Sequence, residues 1–123
     1  MKASDLMVGD WVCLKDDIKN ELPLKIDGVL TDDISLEGEG FLGGAEGLIR
    51  PIPITPEILE ENGWWWRDVV DMWQHDEVDF GIERCNGGFQ CYNINQIKLD
   101  SVYQLQHALR LCGFNELADN FKV

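Results

Sequence analysis

Ile54-Thr55-Pro56-Glu57-Ile58-Leu59-Glu60-Glu61-Asn62-Gly63-Trp64 reads as a short helix with both of its ends specified. Thr55 suits the N-cap, where its hydroxyl accepts an otherwise orphaned amide. Pro56 suits the first helical position because its missing N–H has no partner there, and Glu57 faces the positive end of the helix dipole. Gly63 supplies the left-handed cap residue, which puts Trp64 over Leu59, while Ile54 meets Leu59 as a hydrophobic staple. The helix divides two stretches of strand periodicity. It is read as the hinge that couples them into one domain, Ile54 closing the first part and Trp64 opening the second.

The expected parts are an N-terminal β unit (1–54), the hinge helix (55–63), a β-meander (64–99) and a C-terminal helix with its tail (101–123), an α+β fold. A chain of 123 residues buries about two-thirds of the surface that its unfolded form exposes, enough for a core without staples.

In the first part, Met7-Val8-Gly9-Asp10-Trp11-Val12-Cys13-Leu14 places a Gly-Asp turn before a strand, with Trp11 and Cys13 on one face and Val12 and Leu14 on the other. Leu22 to Leu30 is a second strand, with Pro23 at its start or on an edge. Lys15-Asp16-Asp17 and Thr31-Asp32-Asp33 are turns, and Ile34 to Gly38 alternates apolar and polar. The glycine-rich run Gly38 to Gly47 lacks the Lys-Ser/Thr that closes a phosphate loop, so it reads as a hairpin or bulged loop. Leu48 to Ile54 closes the unit as an edge strand, its prolines barring further pairing. Strands of this length and spacing predict a small SH3-like barrel or sheet.

After the hinge, Trp64-Trp65-Trp66-Arg67-Asp68-Val69-Val70-Asp71-Met72-Trp73-Gln74 opens the meander. Unbroken alternation sends Trp64, Trp66, Asp68, Val70 and Met72 to one face and Trp65, Arg67, Val69, Asp71 and Trp73 to the other. No register buries every aromatic without burying a carboxylate, so an exposed tryptophan is expected unless a bulge or longer turn intervenes. Val78 to Glu83 reads as the next strand, Asn86-Gly87-Gly88 as a hairpin turn, Phe89 to Tyr92 as the return, and a short strand holds Ile97 and Leu99. The last helix carries a Ser101/Gln104 capping box, an apolar stripe of Val102, Leu105, Leu109 and Cys112, Arg110 near its negative end and Gly113 as its stop. A second row, Tyr103, His107 and Leu111, is expected to be covered by Phe114, Leu117 and Phe121 of the tail, or else by a partner or a second copy in a weak homodimer.

The formal charge of −13 is spread evenly, 11 acidic against 5 basic residues in 1–55 and 12 against 5 in 56–123. Such a chain repels phosphate backbones and anionic lipid, which argues against nucleic-acid and membrane partners. The N-terminus has no apolar leader and no window spans a membrane, so a cytoplasmic setting is expected. Cys13, Cys85, Cys91 and Cys112 are expected as free thiols. Cys85 and Cys91 stand six positions apart across a hairpin, a stagger unlike zinc-knuckle spacing, so no metal or cofactor is predicted. His75-Asp76-Glu77 reads as a solvated turn, because no nucleophile or partnered carboxylate accompanies it. No catalytic residues are predicted.

The segments Met7 to Val12, Pro51 to Leu59 and Tyr103 to Gly113 resemble a group of small uncharacterised proteins abundant in Bacteroidetes genomes and mobile elements. That group has no assigned activity. The resemblance implies a bacterial cytosolic setting, with a phage or prophage context within its range. Function is therefore read from surface chemistry: a non-catalytic interaction or accessory module contacting an unknown protein partner through exposed aromatics of Trp64–Trp66 and Trp73. The candidate surface is Trp65, Trp66 and Trp73 together with Tyr103, His107 and Leu111. The competing class is an acidic inhibitor or nucleic-acid mimic that occupies another protein's basic groove; an enzyme ranks third.

Overall fold

The structure, a computed structural model, describes residues 5–14, 22–29, 34–37, 40–42, 49–85, 87–93 and 97–123. The expected turns at 15–17 and 31–33, and most of the glycine-rich run at 38–47, lie outside them. Two antiparallel sheets and three short helices make the α+β class. The chain divides into two compact units, Met1–Ile52 and Pro53–Val123, so Ile54 belongs with the helix that follows it rather than with the first β unit.

The first unit holds β1 (Trp11–Leu14), β2 (Leu22–Val29), β3 (Ile34–Leu36), β4 (Gly40–Leu42) and β5 (Ile49–Pro51), in the sheet order β4-β3-β2-β1-β5. The order runs from edge to edge among the described residues, with no β4–β5 pairing to close a barrel. A turn sets its start. The Asp10 N–H donates to Met7 O at 3.1 Å, Gly9 has φ +93°, and the buried Asp10 carboxylate accepts the Met7 N–H at 2.7 Å. Gly9 stands where such a turn demands a left-handed residue. Pro23 lies opposite Cys13 near the beginning of β2, where its missing N–H does least harm, and β5 takes the expected edge position beside β1. Val12, Ile26, Ile34, Leu36 and Ile49 are buried in this unit.

The second unit begins with α1 (Pro56–Glu61). Thr55 is its N-cap and accepts the Ile58 N–H at 3.2 Å, Pro56 opens it, and Gly63 follows the C-cap Asn62 at φ +91°. Ile54, Leu59 and Trp64, the expected staple and cap residues, are all buried within this unit. Next come β6 (Trp64–Arg67), β7 (Met72–His75), β8 (Ile82–Cys85), β9 (Gly88–Cys91) and β10 (Lys98–Leu99), a meander in the order β10-β9-β8-β7-β6.

Two strand expectations are corrected here. The run from Trp64 to Gln74 is not one alternating strand: Arg67 pairs with Met72, and Asp68 to Asp71 form a four-residue turn closed by Asp71 at φ +52°. Asp tolerates that left-handed conformation better than a branched residue. The turn takes both carboxylates out of the strand and brings Trp73 opposite Trp66 on the same face, rather than beside Trp65. The next strand starts at Ile82 instead of Val78. The backbone of 79–81 is bonded elsewhere: Asn93 accepts the Gly81 N–H at 2.7 Å and donates to Asp79 O at 3.1 Å, and Gly81 O accepts the Tyr92 N–H at 3.0 Å.

Helix α2 (Val102–Leu111) follows Ser101, and Gln104 Oε1 reaches back to the N–H groups of Ser101 at 3.1 Å and Asp100 at 2.8 Å. Its stripe Val102, Leu105 and Leu109 is buried, joining Trp73, Ile82, Cys91 and Leu99 in the core of this unit. At its end Gly113 (φ +86°) donates to Arg110 O and Phe114 to Leu109 O, a Schellman stop that turns the chain into α3 (Asn115–Asp119).

Candidate functional site

The β6–β7 hairpin displays the aromatic residues singled out in the sequence, and the strands sort them. Trp64 is buried, 2% exposed, with its ring 4.8 Å from that of His75 and its Nε1 donating to Phe80 O at 3.3 Å. Trp73 is also buried, 4% exposed, so it leaves the expected contact surface: as the cross-strand partner of Trp66 it faces inward. Trp65 is the exposed one at 41%, pinned by a 3.0 Å hydrogen bond from its indole N–H to Asp76 Oδ1. Beyond it, Val69 and Val70 stand 87% and 42% exposed in the turn.

Trp66 is half-buried between two neighbours. Its ring meets Trp73 edge-on at 5.7 Å, and the Arg84 guanidinium lies 4.9 Å from its centroid, a cation–π stack. Asp68 accepts its indole N–H. Trp66, Arg84, Asp71 and Cys85 line a hollow of about 300 Å³.

A second feature of this unit lies at the β7–β8 connection. Three hollows of about 350, 690 and 360 Å³ all have Glu77 in their walls. The largest is lined by Val78, Phe114 and Leu117 with Glu77 and Glu116. The loop is held from below: the Glu77 N–H donates to His75 Nδ1 at 3.1 Å, and His75 Nε2 lies 2.9 Å from Asn62 O. Because Nδ1 accepts, the ring proton sits on Nε2 and is donated to Asn62 O. Both nitrogens of His75 are thus hydrogen-bonded to backbone groups. No residue of the solvated turn looks remarkable in sequence; what marks Glu77 is that segments around 62, 77, 92 and 117 meet there, a tertiary fact without a local signal.

On α2, the Tyr103 and His107 rings meet edge-on at 5.4 Å, and Leu111 is 73% exposed. Leu111, at the end of this row, is left uncovered by the tail. Gln106, fully buried, donates to Ala118 O at 3.0 Å and draws α3 to its own side of the helix. Phe114 then packs near Phe80 (6.5 Å between centroids) and Phe121 near Trp64 (6.3 Å).

The four cysteines are free thiols. Cys91 pairs with Ile82 and Cys85 with Gly88, so the two stagger along the hairpin. Burial pushes the Cys13 thiol up, and the charge of its cross-strand neighbour Arg50 partly opposes this; burial, then proximity to Cys91, pushes Cys112 up. Among the described residues no helix is long and apolar enough to cross a membrane, and no three His, Cys, Asp or Glu side chains converge as metal ligands would. No family model matches this chain, and neither a curated protein nor a solved structure matches it.

Proposed function

We propose that the chain is a non-catalytic protein-interaction module that contacts its partner through the outer half of the β6–β7 hairpin. The observation that carries this reading is the exposure of Val69 and Val70 at the hairpin turn, on the same hairpin as the exposed, hydrogen-bond-pinned Trp65. Apolar side chains presented together in this way are what interfaces bury, and a tryptophan already fixed in one rotamer loses little entropy on binding. The Arg84–Trp66 stack adds the other residue type enriched at hot spots.

For the first unit we infer an SH3-like arrangement. The order β4-β3-β2-β1-β5, with β1 flanked by β2 and β5, supports it, as does the register shift between Ile26 and Gly28, where a bulge bends β2. The bacterial cytosolic setting implied by the resemblance belongs to the same reading, and free thiols agree with it.

The test is quantitative capture from a lysate of the native host, comparing the wild type with the double variant Val69→Glu/Val70→Glu. Both residues are exposed, so the variant is expected to fold with an unchanged circular dichroism spectrum. Proteins retained by the wild type and lost by the variant are the expected result. Identical capture profiles would overturn the reading.

A further inference from the structure

The three hollows of the second unit share Glu77 in their walls and so adjoin one another, and the groove they outline has apolar side chains in its walls and carboxylates around it. Val78, Phe114 and Leu117 supply the apolar part. Glu61, Asp76, Glu77, Asp79 and Glu116 supply the charge; Asp76 accepts the Trp65 indole N–H, and none of the other four makes an ion pair or a side-chain hydrogen bond among the described residues. Among the described residues, Lys122 is the one Lys or Arg in these walls, and it pairs with none of the carboxylates. Five exposed carboxylates around these hollows raise the local negative potential.

We propose that this groove binds a cationic segment of a partner protein, arginine or lysine side chains alternating with apolar ones. The charge complementarity names the occupant: a basic side chain enters beside Glu77 and Glu116, and its apolar neighbour covers Val78, Phe114 and Leu117. The site is built before the ligand arrives, because His75 holds the Glu77 amide and is itself held by Asn62 O, so the loop pays little ordering cost on binding. Tyr92, 60% exposed at the far branch beside Asp79, offers a ring face to a second cation. This groove is distinct from the hairpin turn at Val69 and Val70, and the inference stands or falls without it.

The experiment uses the full chain and a fluorescent synthetic peptide of alternating leucine and arginine, with a leucine–glutamate peptide and an arginine–serine peptide as probes of charge and of apolar content. Binding is followed by anisotropy, and the bound peptide is located by amide chemical-shift changes. The leucine–arginine peptide is expected to bind, to shift the amides of His75, Glu77, Leu117 and Asn120, and to weaken about tenfold or more with Glu77→Lys and with Glu116→Lys. Val69→Glu/Val70→Glu is expected to leave that affinity unchanged. Equal binding by Glu77→Lys and wild type, shifts confined to other residues, or equal binding of the arginine–serine peptide would each overturn the proposal, the last by reducing it to unspecific charge attraction.

Discussion

The side-chain amide of Asn62 pairs with the backbone of Lys122 in both directions, Nδ2 donating to Lys122 O at 2.8 Å and Oδ1 accepting the Lys122 N–H at 2.7 Å. The same Nδ2 also donates to Ile58 O at 2.8 Å. One buried side chain at the C-cap of α1 therefore fastens the tail, and with it Phe121 beside Trp64. Replacing it removes three hydrogen bonds to backbone groups at once.

Asn62→Ala is accordingly expected to destabilise the second unit by about 2–3 kcal/mol, the cost of leaving buried donors and acceptors unmade. Asn62→Asp should cost as much, since a carboxylate can accept from Lys122 N–H but cannot donate to Lys122 O or Ile58 O. Denaturant midpoints measure both. A change within 0.5 kcal/mol, about the size of an ordinary surface substitution, would show that the strap is not structural.

Two glycines make a controlled comparison. Gly63 and Gly113 both follow helix C-caps at positive φ, +91° and +86°. A Cβ at Gly63 would lie 2.6 Å from His75 Nε2, whereas at Gly113 it meets nothing within 4 Å. Gly113→Ala should cost about 1 kcal/mol of backbone strain, and Gly63→Ala more than that, because the His75 ring must move off Asn62 O. Equal losses in thermal or chemical melting would mean that the His75 contact contributes nothing.

The hinge cap gives a smaller effect. Thr55→Ala removes the acceptor for the Ile58 N–H and should lower stability by about 1 kcal/mol, visible as a lower melting temperature. Thr55→Ser, which keeps the oxygen, should recover most of it. An unchanged melting temperature for the alanine variant would show that the cap does not stabilise the unit.

Alkaline behaviour follows from the buried thiols. Cys13 and Cys112 are raised from the ordinary 9.0, chiefly by burial. As pH climbs past that value, the unfolded thiols lose their protons first, so the folded state binds more protons and stability falls with rising pH. Below it, both states are protonated and the contribution is fully present. The denaturation midpoint is expected to drop less steeply above about pH 9 in Cys13→Ala and Cys112→Ala than in the wild type. Parallel curves would contradict the assignment.

What could be read in the sequence is what local chemistry dictates. Thr55, Pro56 and Gly63 fix the ends of α1 through neighbours no more than a few residues away. Gly113 stops α2, and Cys85 pairs with Gly88 where Asn86-Gly87-Gly88 predicts a hairpin turn, although Gly88 itself joins β9 and Asn86 lies outside the described residues. Simple alternation puts Trp73 on the wrong face because it assumes an unbroken strand. Asp71 in a left-handed conformation ends the strand early, and a four-residue turn resets the count. The tail packs near Trp64 and Phe80 and leaves Leu111 exposed, held by Gln106, which is polar in sequence, fully buried in the fold and bonded to Ala118 O. Glu77 has no local signature at all, since the groove around it is made by segments distant in sequence.

In the proposed function the apolar hairpin turn, rather than general acidity, carries partner binding. The most direct measurement is the affinity of the captured partner for the wild type and for Val69→Glu/Val70→Glu in about 0.5 M salt, where the Debye length falls to about 4 Å and exposed charges are screened. The wild type is expected still to bind, and the variant to bind about tenfold or more weakly. Loss of wild-type binding at that salt concentration, or equal affinity of the two proteins, would contradict it.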